Sequence, residues 1–193
     1  MFYFQPCPGI IEHEMVSIPF IFTELVYTVI WLLGRIAVWL TQKRIDLKRE
    51  AALFLIYINF AVMIRVAFFP MSRVNGRVQP LLFDPVTAFP FRVNMIPFAN
   101  LFDYDNKRDL MLNVIGNCAL FIPSGIVLPI VYKRLDSFWK VLSAGMLISF
   151  TIEILQLPFS VRASDIDDLI LNTAGVAVGY GICCLIKSLN KED

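Results

Sequence analysis

Chemistry in this sequence is concentrated where the chain is otherwise apolar. Glu153 and Gln156 close the run "VLSAGMLISFTIEILQLP" (141–158). Arg162, Asp165, Asp167 and Asp168 lead straight into "LILNTAGVAVGYGICCLI" (169–186), and Asn172 stands inside it. Asn113 and Asn117 lie in "LMLNVIGNCALFIPSGIVLPIVY" (110–132). Carboxylates, amides and a guanidinium in one set can hydrogen-bond a polar head group. Glu153 with Asp165 or Asp168 could also act as acid and base. Polar side chains are expensive in lipid, so they face other helices or a wet cavity, and an ionisable one is functional by default.

The elements that must position these groups are membrane helices. The chain is 58% hydrophobic and only 17% charged, a shift away from soluble composition on both counts. Segments of about 20 apolar residues can span a bilayer. Five are predicted, at 18–40, 51–71, 110–132, 141–158 and 169–186, giving an all-α polytopic fold. Lys43, Arg44, Lys48 and Arg49 crowd one connection, and Lys133, Arg134 and Lys140 another. The positive-inside rule then places the N-terminus outside and both basic loops and the C-terminus inside. The basic residues are read as topological signals alone. A net charge of +1 argues against a nucleic-acid partner.

At 3.6 residues per turn the polar groups fall into stripes. Asn113, Asn117, Leu120 and Ser124 share one face; so do Gly145, Ser149, Glu153 and Gln156; so do Asp165, Asp168, Asn172, Gly175 and Gly179. With the predicted orientation, the polar members of all three stripes lie near the outer ends of their helices. Gly175 and Gly179 form a small-xxx-small pair for close helix packing. Asn113 and Asn117 fit two roles equally, helix-to-helix hydrogen bonding or lining a site. Ser164 and Asp167 have capping-box spacing, which assigns Asp167 to a cap. Glu24 and Arg65 are expected to pair, and Arg35 to snorkel.

The connection 72–109 contains "PLLFDPVTAFPFRVNMIPFANLF", in which Pro80, Pro85, Pro90 and Pro97 block a long helix. It reads either as an interfacial extracellular loop or as a lid folded back over the bundle. The four cysteines, Cys7, Cys118, Cys183 and Cys184, have no disulfide or zinc spacing. His13 is the only histidine and lies far from the polar stripes, which excludes a Ser-His nucleophile there. No metal and no cofactor is expected.

Four blocks together resemble the VanZ-like family of bacterial membrane proteins: "RVNMIPF" (92–98), "NVIGNCALFIPSGIVLP" (113–129), "EILQ" (153–156) and "RASDIDDLILNTAGVAVGY" (162–180). The resemblance covers roughly 50–187, inside a membrane domain of 18–193 that follows an extracellular segment 1–17. Carried over by position, the family's polar motif residues are Arg92, Asn94, Asn113, Asn117, Glu153, Gln156, Arg162, Asp165, Asp168 and Asn172. Ser124 stands where the family often has Phe, which makes that wall smaller and more polar.

The resemblance implies a multi-pass protein of the bacterial cell membrane. The family's founding member is linked to low-level resistance to teicoplanin, a lipid-tailed glycopeptide. The expected function is an outer-leaflet polar pocket that binds an amphiphile, either a lipoglycopeptide or a lipid-linked cell-wall precursor, and contributes to glycopeptide resistance. Arg92, reaching in from the 72–109 connection, and Arg162 would hold an anionic head group. The alternative is a membrane-embedded enzyme using Glu153 with Asp165 or Asp168 on such a substrate, without a familiar nucleophile. Membrane lipid is a partner in either case.

Overall fold

The computed structural model describes residues 16–42, 45–71, 73–83, 90–99, 106–159 and 163–190. Cys7, Lys43, Arg44 and Arg162 fall outside the described residues. Five helices dominate: α1 (Phe20–Gln42), α2 (Leu47–Phe68), α3 (Lys107–Val131), α4 (Phe138–Gln156) and α5 (Ile166–Leu189). All five are long and apolar enough to cross a membrane, as the sequence predicts.

Four helices, α2 to α5, begin a few residues before the predicted apolar runs, and in three of them a polar side chain caps the start. The Asp46 carboxylate accepts the Lys48 and Arg49 N–H groups at 3.0 and 3.3 Å and starts α2. Asn106 accepts the Arg108 N–H at 2.9 Å and starts α3. Asp165 accepts the Asp167 N–H at 2.9 Å and starts α5. Side-chain oxygens thus satisfy donors that a helix start leaves open. The α5 cap corrects the sequence reading. Asp165 is the capping residue, not Ser164, and Asp167 is left to bond elsewhere.

Neighbouring helices run up and down. On α1 and α2, Tyr27 stacks on Tyr57 with ring centroids 5.2 Å apart, and Tyr27 Oη donates to the Tyr57 carbonyl at 3.1 Å. No residue of α1 is buried, so this helix lies at the edge of the bundle. The expected Glu24–Arg65 ion pair does not form. Arg65 instead donates to the Phe69 carbonyl at 3.0 Å and sits over the Phe20 ring at 5.5 Å. Phe69 is the residue just past the last turn of α2, where helix carbonyls are left without an intrahelical donor. Arg35 does not snorkel either: its guanidinium makes a forked ion pair with Glu50 in the first turn of α2.

The core lies among α2 to α5, where Met63, Phe121, Val141 and Val176 are buried against one another. α3 and α5 run parallel in tight contact. A Cβ on Gly175 would meet the Cys118 carbonyl, and one on Gly179 the Ile122 carbonyl. The same approach is paid for on the other side by Gly125, where a Cβ would meet the Val176 carbonyl. Gly145 of α4 makes room for the Val176 side chain. The small-residue pair predicted on α5 is therefore one half of a two-helix contact. Asn59 ties α2 to α3, donating to the Leu120 carbonyl at 3.0 Å and accepting from Ser124 Oγ at 2.6 Å.

Among the described residues, six short strands lie outside the helices: β1 (Val16–Ile18), β2 (Arg73–Val74), β3 (Arg77–Val78), β4 (Leu81–Phe83), β5 (Val93–Asn94) and β6 (Ser164–Asp165). β2 and β3 form a hairpin across Asn75 and Gly76, whose φ values of 50° and 74° are those an Asn-Gly turn adopts readily. β1 pairs antiparallel with β4. β5 pairs parallel with β6, Asn94 opposite Asp165. Within the 72–109 connection, β4 is thus tied to the segment before α1 and β5 to the segment before α5, while β2 and β3 pair only with each other.

Candidate functional site

The junction of α4 and α5 shows how the sequence builds this end of the bundle. Because α4 and α5 run antiparallel, the end of α4 lies beside the start of α5. Glu153 is only 5% exposed, and its Oε2 accepts the Asp165 N–H at 3.0 Å. A carboxylate from one helix thus holds the residue that caps the next. Asp165 Oδ1 also accepts from Asn94 Nδ2 at 3.1 Å. Asp167, buried, accepts the Phe98 N–H at 2.7 Å. The Arg92 carbonyl accepts the Ser164 N–H at 2.9 Å, and Asn94 Oδ1 accepts the Ile96 N–H at 3.1 Å. Segment 90–99 is therefore fastened to the first turn of α5 by backbone pairing and by two carboxylates. Those carboxylates also sit where the helix dipole favours negative charge.

Behind this junction lies a cavity of about 320 Å³ between the ends of α2 and α4 and the beginnings of α3 and α5. Its polar lining is Asn113, Asn117, Glu153, Gln156, Asp168 and Asn172. Asn117 Nδ2 donates to Asp168 Oδ1 at 2.5 Å, joining α3 to α5. Asn172 Nδ2 donates to Ser149 Oγ at 2.9 Å, joining α5 to α4. Gln156 Nε2 donates to the Ala67 carbonyl at 2.6 Å, joining α4 to α2. Since a carbonyl only accepts, that bond fixes which end of the Gln156 amide faces α2. Gln156 Oε1 and Asn172 Oδ1 are buried without a hydrogen-bond donor among the described residues. Asn113 lines the same space, and no side-chain hydrogen bond ties it to another described residue. Val66, Leu112, Leu120, Phe121 and Ile152 give the cavity its apolar part.

The residues singled out in the sequence divide accordingly. Asn113, Asn117, Glu153, Gln156, Asp168 and Asn172 come together around the cavity. Asn94 and Asp165 meet in the strand pair at its rim. Arg92 departs from expectation: it contributes its carbonyl to the pairing, but its side chain is exposed and does not line the cavity. The pairing engages the backbone there and leaves the guanidinium its hydration. Ser124, on the α3 stripe, faces Asn59 instead of the cavity. Asp167 and Asn59 carry structural bonds that the stripes did not reveal. Asn59 had a signal, a lone amide in the middle of an apolar span. Asp167 had one in its capping-box spacing, which pointed to a structural role but not to Phe98 as the partner.

The sequence profile of the VanZ/LLP1 family matches residues 53–187, a stretch that contains every residue lining the cavity and leaves out α1. A relative, Protein VanZ of Enterococcus faecium, is 29% identical over 134 residues, spanning 68% of this chain and 71% of that protein. No solved structure matches the chain.

Proposed function

The chain belongs to the VanZ/LLP1 family and is a multi-pass membrane protein, and on that footing we propose that its cavity binds the polar head of a membrane amphiphile. The observation that carries this reading is that two residues lining the cavity, Gln156 and Asn172, each hold a buried carbonyl oxygen, Oε1 and Oδ1, with no donor from the described residues. A buried acceptor left unmatched is costly, so the site suits a head group rich in N–H and O–H donors. Sugars and peptides have that character. A lipoglycopeptide antibiotic and a lipid-linked cell-wall precursor both combine such a head with an apolar tail, which would lie in the surrounding lipid. Similarity to Protein VanZ supports a contribution to glycopeptide resistance.

The proposed orientation puts the cavity in the outer leaflet of the bacterial cell membrane, where such molecules are found. It rests on Lys48, Arg49, Lys133 and Arg134 lying at the other end of the bundle, at the start of α2 and just after α3.

The test uses the purified full chain in lipid nanodiscs with labelled teicoplanin and a labelled lipid-linked cell-wall precursor. Asn113→Leu is the informative variant, because Asn113 lines the cavity without a structural bond. It is expected to abolish binding of whichever probe the unaltered chain retains, while thermal stability stays unchanged. Equal binding by the variant would remove the cavity from the function. Conversion of either probe to product would favour the enzyme alternative, with Glu153 and Asp165 or Asp168 as the acid–base candidates.

A further inference from the structure

At the opposite end of the bundle from the polar cavity, a second and larger opening separates the start of α2 from the end of α3. It measures about 700 Å³ and is lined by Lys48, Arg49, Lys133 and Arg134, with Asp46, Tyr132, Ala52, Ile130 and Val131. That volume is in the range of small-molecule sites, about 300–1,000 Å³. Among the described residues lining it, Asp46 is the only carboxylate, and both amides that Asp46 accepts belong to the first turn of α2. Among the described residues, none of the four cations forms an ion pair. All four are exposed. The nearby acid Glu50 is already taken by Arg35, and Asp136 by Lys140.

The floor of the opening is apolar and continues into the bundle. Val131 packs with Leu53 and Val127, while Ile130 is 52% exposed on the lipid-facing surface beside it. Positive charge above and open apolar surface below, at the level where two spanning helices end, match a molecule with a phosphate head and acyl chains. Four basic residues scattered for topology alone need no shared concave surface. Here two connections far apart in sequence place theirs on opposite walls of one cleft.

We propose that this cleft is a binding site for an anionic phospholipid, with Lys48 and Arg49 on one side of its phosphate and Lys133 and Arg134 on the other. Basic pockets between membrane helices recognise anionic head groups in this way. The site is independent of the polar cavity and of what that cavity binds.

The experiment titrates the purified full chain, in neutral detergent, with phosphatidylglycerol, phosphatidylcholine and glycerol 3-phosphate, counting bound molecules by native mass spectrometry. Phosphatidylglycerol is expected to bind, the zwitterionic lipid and the water-soluble phosphate to bind at least about tenfold more weakly. Lys133→Gln with Arg134→Gln is expected to weaken phosphatidylglycerol about tenfold, and Lys48→Gln with Arg49→Gln to do the same from the other wall. Lys187→Gln, a cation at the end of α5 outside the cleft, is expected to leave it unchanged. Gel-filtration profiles identify any variant that fails to fold, in which case the other pair gives the reading. Equal binding of phosphatidylcholine, equal binding of glycerol 3-phosphate, or indifference of a folded double variant would each overturn the proposal.

Discussion

Glu153 of α4 accepts the backbone N–H of Asp165, the residue that caps α5, across a distance of 3.0 Å. This buried acid is thereby both a wall of the cavity and a support for the helix that completes it. These two duties respond differently to substitution. Gln retains an oxygen that accepts the same N–H, so Glu153→Gln is expected to stay within about 1 kcal/mol of the original stability. Glu153→Leu leaves that N–H without an acceptor and is expected to cost about 1–3 kcal/mol. Thermal unfolding in detergent checks both. Binding of the labelled amphiphile is expected to fail in the two variants alike, because both remove the carboxyl group. Retained binding by Glu153→Gln would show that the carboxylate acts only as a strut.

Asp167→Ala tests the attachment of segment 90–99. An ordinary helix cap is worth about 1 kcal/mol. Asp167 is instead buried and bonded to the Phe98 N–H at 2.7 Å. Its loss is expected to speed hydrogen exchange at Phe98 and along β5 well before the helices are affected. Unchanged exchange at those amides would mean that the β5–β6 pairing holds the segment unaided.

The α3–α5 contact separates glycines by what surrounds them. Gly179→Leu is expected to lower the yield of folded protein sharply, since its Cβ would drive into the Ile122 carbonyl. Gly34→Ala is expected to leave yield intact, because nothing lies within 4 Å of the added Cβ. Comparable yields for the two variants, measured by fluorescence-detected gel filtration, would contradict the close approach of these helices.

Orientation is open to cysteine labelling in intact cells. A cysteine at Arg77, on the exposed β2–β3 hairpin, is expected to react with a membrane-impermeant reagent. A cysteine at Ser137, just before α4, is expected to react only after the membrane is broken. The reverse pattern would invert the topology and move the cavity to the inner leaflet.

What could be read from the sequence was whatever repeats with a helical period. Five apolar runs gave the spans, and the stripes brought Asn117 to Asp168 and Ser149 to Asn172 on facing helices. What escaped was contact without a period. Strands as short as β5 and β6 have no alternation to detect, so the fastening of segment 90–99 was invisible. Arg65 and Arg35 were misjudged because charge was matched to charge at similar depth. One found a backbone carbonyl on its own helix, and the other an acid in the first turn of α2. Asn59 and Ser124 were each readable as polar in an apolar span, but their meeting depends on how α2 packs against α3.

The pairing of segment 90–99 with the start of α5 also sets an order in time. Asn94 and Asp165 are 71 positions apart. At a synthesis rate of about 5–20 residues per second, Asn94 leaves the ribosome several seconds before its partner exists. During that interval Asn117, Ser149 and Glu153 also lack the residues of α5 that they bond in the finished protein. α5, made after the other four helices described, thus brings the partners of Asn117 and Ser149, and its capping residue brings that of Glu153. A truncation that removes α5 should leave a nascent chain with its polar groups stranded in lipid, a signal that membrane quality control can read long before any ligand is involved.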